Sequence, residues 1–234
     1  MKRPALTLAF FLLVIFKGHS QSMNDDKKSN VYSMGASELI FSFGDVKDPN
    51  LMIDPIVRFT VFFHYQHQFH YDFNAKTGLY FGLGVRNVGF INTLNDSIKI
   101  KQRSYSLGIP LAFKIGSMQN KTWLAVGGEA EMMFAYKQKV FYADQEFKNN
   151  EWFSDKVNIF NPSVFAEIHF KGGSYLRFKY YLMDFLQEDK QDVKLFGVPF
   201  AYHPESSKLF YVAIGTAINH KDYRKLNKMR NKTT

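Results

Sequence analysis

Three histidines spaced three apart, His64, His67 and His70, are the first residues in this 234-residue sequence to invite a chemical reading. A zinc site holds its ligands within about 2 Å of the ion. On an extended strand His67 faces away from the other two, which stand roughly 20 Å apart at about 3.3 Å per residue. The trio is therefore not expected to share a metal ion. Gly82-Leu83-Gly84 opens like a dinucleotide-binding turn, but Asn87 takes the place of the third glycine and no helical pattern follows. Glu129 and Glu131 form a carboxylate pair with no nucleophile or substrate-shaped loop beside it. There is no Ser-His-Asp arrangement, HExxH or P-loop. The absence of cysteine excludes disulfides, thiolate metal sites, thiol nucleophiles and N-terminal lipid-modified cysteine. No cofactor and no enzymatic activity are expected.

The elements that would carry these residues alternate with period two. From Arg58 to Asn74 the odd positions read Phe59, Val61, Phe63, Tyr65, His67, Phe69, Tyr71 and Phe73, and the even ones are mostly polar. This is far longer than an ordinary strand of five or six residues. RSYSLGIPLAFKIG (103–116) repeats the pattern, and Val31–Phe43, Gly78–Ile91, Thr122–Val140, Asn158–Phe170, Ser174–Phe185 and Lys208–Asn219 complete a set of eight. Connections after the second, fourth and sixth segments are short: FNAKTG, GSMQNKT and KGGS. Those after the first, third, fifth and seventh are longer: GDVKDPNLMIDP, NTLNDSIK, FYADQEFKNNEWFSDKV and LQEDKQDVKLFGVPFAYHPES. Short turns at one end and long loops at the other are the asymmetry of outer-membrane barrels. The expected fold is all-β: an eight-stranded antiparallel up-and-down transmembrane β-barrel over residues 31–219.

Alternation alone does not say which face is inside. A soluble, lipocalin-like barrel binding a small apolar ligand also alternates, but turns charged residues to water. Here the polar face is rich in small residues, such as Gly82, Gly84, Ser104, Ser106, Gly108 and Ala112, suited to a crowded lumen. The other face is large and aromatic, as lipid contact requires. The membrane barrel is therefore the first reading and the soluble barrel the alternative. On the first reading Arg58, Arg86, Lys114, Glu129, Glu131, Glu167, His169, Arg177 and Lys179 point inward. Three carboxylates among five cations are expected to pair as a structural polar plug. On this reading a conservative change at Lys114 should be tolerated, and a charge at Leu111 should not. The aromatics Phe141, Tyr142, Trp152 and Phe153 of the third long loop, and Phe196, Phe200 and Tyr202 of the fourth, fit two roles. They bind a partner or glycan, or they pack on one another and close the mouth.

The ends of the chain differ from its body. Residues 1–20 pair a basic start (Lys2, Arg3) with a twelve-residue apolar run and a small-residue cleavage site, the three parts of a secretory signal peptide. Residues 21–30 form a polar lead expected to be flexible. Residues 220–234 form a basic tail with six cations against Asp222. The net charge of +9 resides mainly in these ends, so nucleic acid is not an expected partner. The tail is either a solvated extension or an arm that docks on an acidic surface.

The segments ELIFSF (38–43), HYDFNAKTGLYFGLGVRNVGF (70–90), YSLGIPLAFKIG (105–116), YKQK (136–139), EWFSDK (151–156) and LRFKYYLMDF (176–185) resemble the small outer-membrane β-barrel proteins of Bacteroidota. The resemblance spans nearly the whole mature chain and carries no catalytic residue. It implies outer-membrane placement, contact with outer-membrane lipid and insertion by the barrel-assembly machinery. The sequence departs from that group at its end, where the last strand fades at Ile218-Asn219 before the basic tail. The expected role is that of a non-enzymatic structural or accessory component of an envelope assembly for secretion, uptake or adhesion, with an envelope protein as partner.

Overall fold

The computed structural model describes residues 30–191 and 193–219. The signal peptide, all of the lead but its last residue, and the basic tail read from the sequence lie outside them. In chain order the strands are β1 (Val31–Lys47), β2 (Ile53–Ile56), β3 (Arg58–Thr60), β4 (Tyr65–Asp72), β5 (Thr77–Leu94), β6 (Ile98–Ser117) and β7 (Thr122–Tyr142). They continue with β8 (Gln145–Trp152), β9 (Ser163–His169), β10 (Ser174–Tyr181), β11 (Val193–Leu195), β12 (Val198–Phe200) and β13 (Ser206–Asn219). Eight of these close an antiparallel ring in the order β1, β4, β5, β6, β7, β9, β10, β13. The seam from β13 back to β1 runs from Met34 opposite Asn219 to Lys47 opposite Ser206. The fold is the eight-stranded up-and-down barrel that the alternation implies. Among the described residues the one helical turn is Glu188–Lys190.

Facing follows from burial. On β6, Leu107, Ile109, Leu111, Phe113 and Ile115 are exposed while Ser104, Ser106, Ala112 and Lys114 are buried. Leu111 is 60% exposed and Lys114 0%, the reverse of a soluble barrel. Small inward residues leave room for large ones opposite. A Cβ on Gly108 would collide with the carboxylate of Glu129, and one on Gly215 with the ring of Tyr175.

Two strands depart from the uniform alternation expected of them. The stretch from Arg58 to Asn74 is not one strand but β3 and β4, separated at Val61–His64. Three steps along β1, from Ile40 to Ser37, are matched by five steps from Thr60 to Tyr65. Two extra residues are thus accommodated where Phe62 and Phe63 are exposed, and an even insertion leaves the same parity facing inward. On β7 the extra residue is single: Tyr105 faces Ala135 but Ser106 faces Met133. Below this bulge Glu129, Glu131 and Met133 are buried; above it Tyr136, Gln138 and Val140 are.

Two of the long connections are shorter than the sequence implies, because the strands run further, whereas the last is longer, since β10 ends at Tyr181 rather than Phe185. NTLNDSIK is a tight turn at Asn95-Asp96, both at positive φ, on top of a continuous β5–β6 ladder. FYADQEFKNNEWFSDKV is mostly a hairpin, with β7 turning through Ala143-Asp144 into β8. These strands escape a search for apolar alternation because their outward residues are charged.

Because Leu111 faces outward midway along the apolar wall, Leu111→Arg should cost about 2–4 kcal/mol in lipid. Urea unfolding of protein reconstituted in vesicles measures this, with Lys76→Arg in an exposed turn as the neutral reference. Equal stability of Leu111→Arg and the parent would reverse the facing.

Candidate functional site

The lumen is filled in three layers. Nearest the short turns lies an aromatic floor. His169 is stacked between Trp123 and Tyr175 at centroid distances of 3.5 and 4.6 Å, and Tyr32 stacks on His70 at 4.8 Å. Lys114 rises into this floor and donates to Asp72 Oδ1 at 2.6 Å and Tyr32 Oη at 3.1 Å, with His70 Nδ1 also at 3.1 Å. Its ammonium also lies 5.4 Å from the Trp123 ring centroid. A guanidinium is longer and planar. Lys114→Arg is therefore not the tolerated change expected from the sequence.

The middle layer is ionic. Glu38 on β1 takes bonds from Arg177 and, at 3.4 Å, from Arg86. Arg177 also holds Glu167, whose other oxygen lies 2.9 Å from His169 Nε2. Arg86 pairs with Glu129, and Lys179 bridges Glu129 at 2.7 Å to Glu131. Gln66 Oε1 accepts from both Arg86 (2.6 Å) and Arg177 (2.9 Å) and ties the two guanidinium groups together. Hydroxyl donors add to the carboxylates, Tyr80 to Glu167 at 2.8 Å, Tyr175 to Glu38 at 3.1 Å and Ser106 to Glu131 at 2.7 Å, while Glu38 Oε2 is buried without a partner among the described residues.

All nine inward residues named from the sequence are buried, yet they are not one cluster. Arg58 stands apart, donating to the carbonyl and side-chain oxygens of Asn87 at 3.1 and 2.7 Å. Lys114 belongs to the floor with Asp72. The connected network is four carboxylates on Arg86, Arg177 and Lys179, where the sequence suggests three carboxylates among five cations. Glu38 is the member that the sequence reading misses. The alternation of β1 that would expose it (Glu38, Ile40, Ser42 against Leu39, Phe41, Phe43) is masked by apolar Ile40 on the inner face.

The third layer is the mouth. Ile40, Val88, Phe90 and Ile100 on the strands meet Phe185, Leu186, Val193 and Tyr202 from the segment after β10. Tyr202 Oη donates to Gln102 Oε1 at 3.1 Å. Phe196, in the turn between β11 and β12, packs edge-on against Tyr142 and Phe147 at 6.2 and 5.3 Å. Of the aromatics read as loop residues, Tyr142, Phe196, Phe200 and Tyr202 thus help to close the mouth. Phe141 pairs with Glu146 on the hairpin, and Trp152 stacks outside on Phe134 at 6.0 Å, with Phe153 exposed beside it. An open cleft of about 610 Å³ remains between β8 and the turn at Gly197, lined by Gln138, Phe147, Glu151, Lys156 and Lys194.

Of the three histidines, His64 and His70 are buried on the inner face and His67 packs edge-on against Phe69. Among the described residues no group of three or more histidine, aspartate or glutamate side chains is placed to hold a metal.

At the mouth, Glu151 accepts from Ser154 Oγ (2.5 Å), Asn149 Nδ2 (2.7 Å) and Lys156 Nζ (2.7 Å). Partial burial would raise its carboxyl, but these bonds outweigh it and hold the group at about 2. Asp184, likewise, lies below its usual range: burial is outweighed by the Ser207 amide and Lys208 ammonium.

No protein-family model matches the chain, and comparison with curated proteins gives no match. Among solved structures it is similar to Ail, the attachment invasion locus protein of Yersinia pestis. The two are 14% identical, over 80% of this chain and 99% of that one, with a TM-score of 0.36. It is also similar to the outer membrane protein OprG from Pseudomonas aeruginosa, at 9% identity, 82% and 97% coverage and a TM-score of 0.35. The outer membrane protein AlkL in lipid bilayers is 12% identical, with 86% and 97% coverage and a TM-score of 0.36. The eight-stranded ring itself rests on the strand pairing described above.

Two predictions follow from these contacts. Glu38→Ala leaves Arg177 and Arg86 buried beside a lost partner and should cost about 3–5 kcal/mol in urea unfolding. Adding Arg177→Met should give a coupling of about 1–3 kcal/mol, and simple additivity would show that the pair is not a unit. At the mouth, a carboxyl lowered by folding stabilises the folded state above its unfolded value of about 4.3. That contribution is lost as pH falls toward about 2. Hydrogen exchange in the Glu151–Lys156 segment should rise across that window in the parent, and Glu151→Gln should abolish the dependence.

Proposed function

We propose that the protein is an outer-membrane β-barrel, exported and inserted by the barrel-assembly machinery, that serves a non-enzymatic structural or accessory role in an envelope assembly for secretion, uptake or adhesion. One observation carries the membrane placement: large apolar and aromatic residues face outward around the ring along the wall, and the charges at that height are sealed inside. Along β6 the wall runs from Ile115 to Tyr105, about ten residues. That is roughly 33 Å along the strand and about 25 Å in height at a tilt near 40°, the thickness such barrels present to lipid. A soluble barrel with an apolar-ligand cavity would need the opposite facing.

The filled lumen supports a role that does not depend on conduction. Eight strands enclose a space that side chains can fill, and here the floor, the ionic layer and the mouth each block the axis. Partner contact is then left to the surfaces beyond the wall: the β7–β8 hairpin, the β11–β12 turn and the cleft between them. The outward aromatics Trp152 and Phe153 sit where the wall meets those surfaces.

Envelope fractionation should leave the protein in the membrane pellet after carbonate or urea washing, and release into the supernatant would sink the membrane reading. In planar bilayers the purified protein should give no stable single-channel steps, whereas reproducible conductance would argue for an open lumen.

A further inference from the structure

We infer that the outward face of β6, β7 and β8, just beyond the apolar wall, is a binding surface for the phosphate-bearing headgroup of an anionic lipid. The inference rests on the membrane placement proposed above. The strand register puts three lysines side by side, with Lys101 opposite Lys139 and Lys139 opposite Lys148. In the next outward row toward the apolar wall Arg103 faces Lys137, and Lys99 lies in the row on the far side. Neighbouring strands are about 4.8 Å apart and same-face rows roughly 7 Å apart. Six cations therefore occupy a patch roughly 10 Å by 13 Å.

Like charges directly opposite one another destabilise a sheet. One carboxylate answers this patch: Glu146, 2.5 Å from Lys139 and 2.9 Å from Lys148. Among the described residues no carboxylate pairs with Lys99, Lys101 or Arg103. The lumen treats charge differently: each of its carboxylates is bonded to at least one cation, and Arg58, which meets no carboxylate among the described residues, is held by two Asn87 oxygens. A patch that keeps its cations in excess is built for an anion from outside the chain.

The position of the patch selects the anion. Immediately below it runs a chain of outward rings: Phe63 to Tyr105 at 5.8 Å, Tyr105 to Phe134 at 6.3 Å, and Phe134 to Trp152 at 6.0 Å. Lys137 lies 5.7 Å from the centroid of Tyr105. Such aromatics sit at the level of lipid headgroups. The cations thus stand on the side wall one row above that level, on the same strands that face lipid. An acidic protein approaching from solution would meet the mouth first, whereas a headgroup reaches the side wall by lateral diffusion. Phosphate offers several acceptor oxygens to neighbouring ammonium and guanidinium groups.

The test uses the full mature chain in phosphatidylcholine vesicles with and without diphosphoryl lipid A. Flotation with the vesicles is read first, and failure to float would sink the membrane placement itself. Lipid A retention is then read by native mass spectrometry after detergent extraction. Lys101→Gln/Lys139→Gln/Lys148→Gln should float as the parent does and lose retention by about fivefold for each lysine removed. Lys76→Gln/Lys171→Gln, at the opposite end, should retain the parent's level. Lys101→Glu supplies a readout of opposite sign in case the triple variant misfolds. It should raise the unfolding temperature in phosphatidylcholine alone, by relieving repulsion, and weaken the stabilisation that lipid A gives the parent. Parent-level retention by the triple variant, or an equal loss in the Lys76/Lys171 control, would overturn the site. Displacement of lipid A by inorganic phosphate at matched concentration would overturn the assignment to a lipid headgroup.

Discussion

A ring of eight strands encloses a column only as wide as the side chains that fill it, and a charge placed there must find a counter-charge or, as Arg58 does on Asn87, polar oxygens among its neighbours. The rest of the molecule is arranged around that constraint. Four carboxylates meet three strong cations, leaving negative charge to be balanced by weaker donors. His169 on Glu167, and the hydroxyls of Tyr80, Tyr175 and Ser106, add further bonds to these carboxylates, and one oxygen, Glu38 Oε2, stays without a partner among the described residues. The glycines belong to the same solution. Gly108 lies where the Glu129 carboxylate must pass, and Gly215 where the Tyr175 ring stacks. Small residues on one strand are thus the counterpart of long charged ones on another.

The two irregular strands show how side-chain facing survives a change in backbone register. An insertion of two residues between β3 and β4 preserves parity, so Arg58 and Thr60 above it and Gln66 and His70 below it all remain buried. Phe62 and Phe63 carry the excess outward, where an aromatic belongs. The single extra residue on β7 does the opposite. Below it, odd positions bring Glu129 and Glu131 to Lys179; above it, even positions bring Tyr136 and Gln138 inward. Without that switch the segment from Lys137 to Lys139 would present its lysines to the lumen and Gln138 to the outside.

Much of this was legible in the sequence, and the failures have physical causes. Period-two alternation over eight segments is enough to give the ring, because few other folds accept so many long, one-sidedly apolar strands. Parity of small and large residues gives the facing. What escapes is whatever lies beyond the apolar wall, where outward positions are charged and the alternation becomes polar against apolar with the sense reversed. KIKQR (99–103) and QEFKNNEW (145–152) are strands of that kind. Pairing escapes too: nothing in the order of residues says that Glu38 meets Arg177, 139 positions away. Arg58 and Lys114 look like members of the same set as Arg86, but their heights along the column, which only the register fixes, put them with Asn87 and Asp72.

The strands beyond the wall create a difficulty that the mouth resolves. Inside the ring each strand is paired on both sides, but β8 pairs with β7 alone and, among the described residues, no strand covers its other edge. An open edge invites pairing with another chain unless its side chains discourage it. Lys148, Asn149, Asn150 and Glu151 supply that discouragement, being charged or amide residues of low strand propensity. Behind the hairpin, Phe147 packs on Phe196, and Lys156 is bonded to Glu151 while its carbonyl accepts from Gln191 at 2.8 Å. The inner face of the hairpin is therefore anchored by apolar contact and its outer edge kept polar. This combination lets strands rise past the apolar wall as a fixed surface.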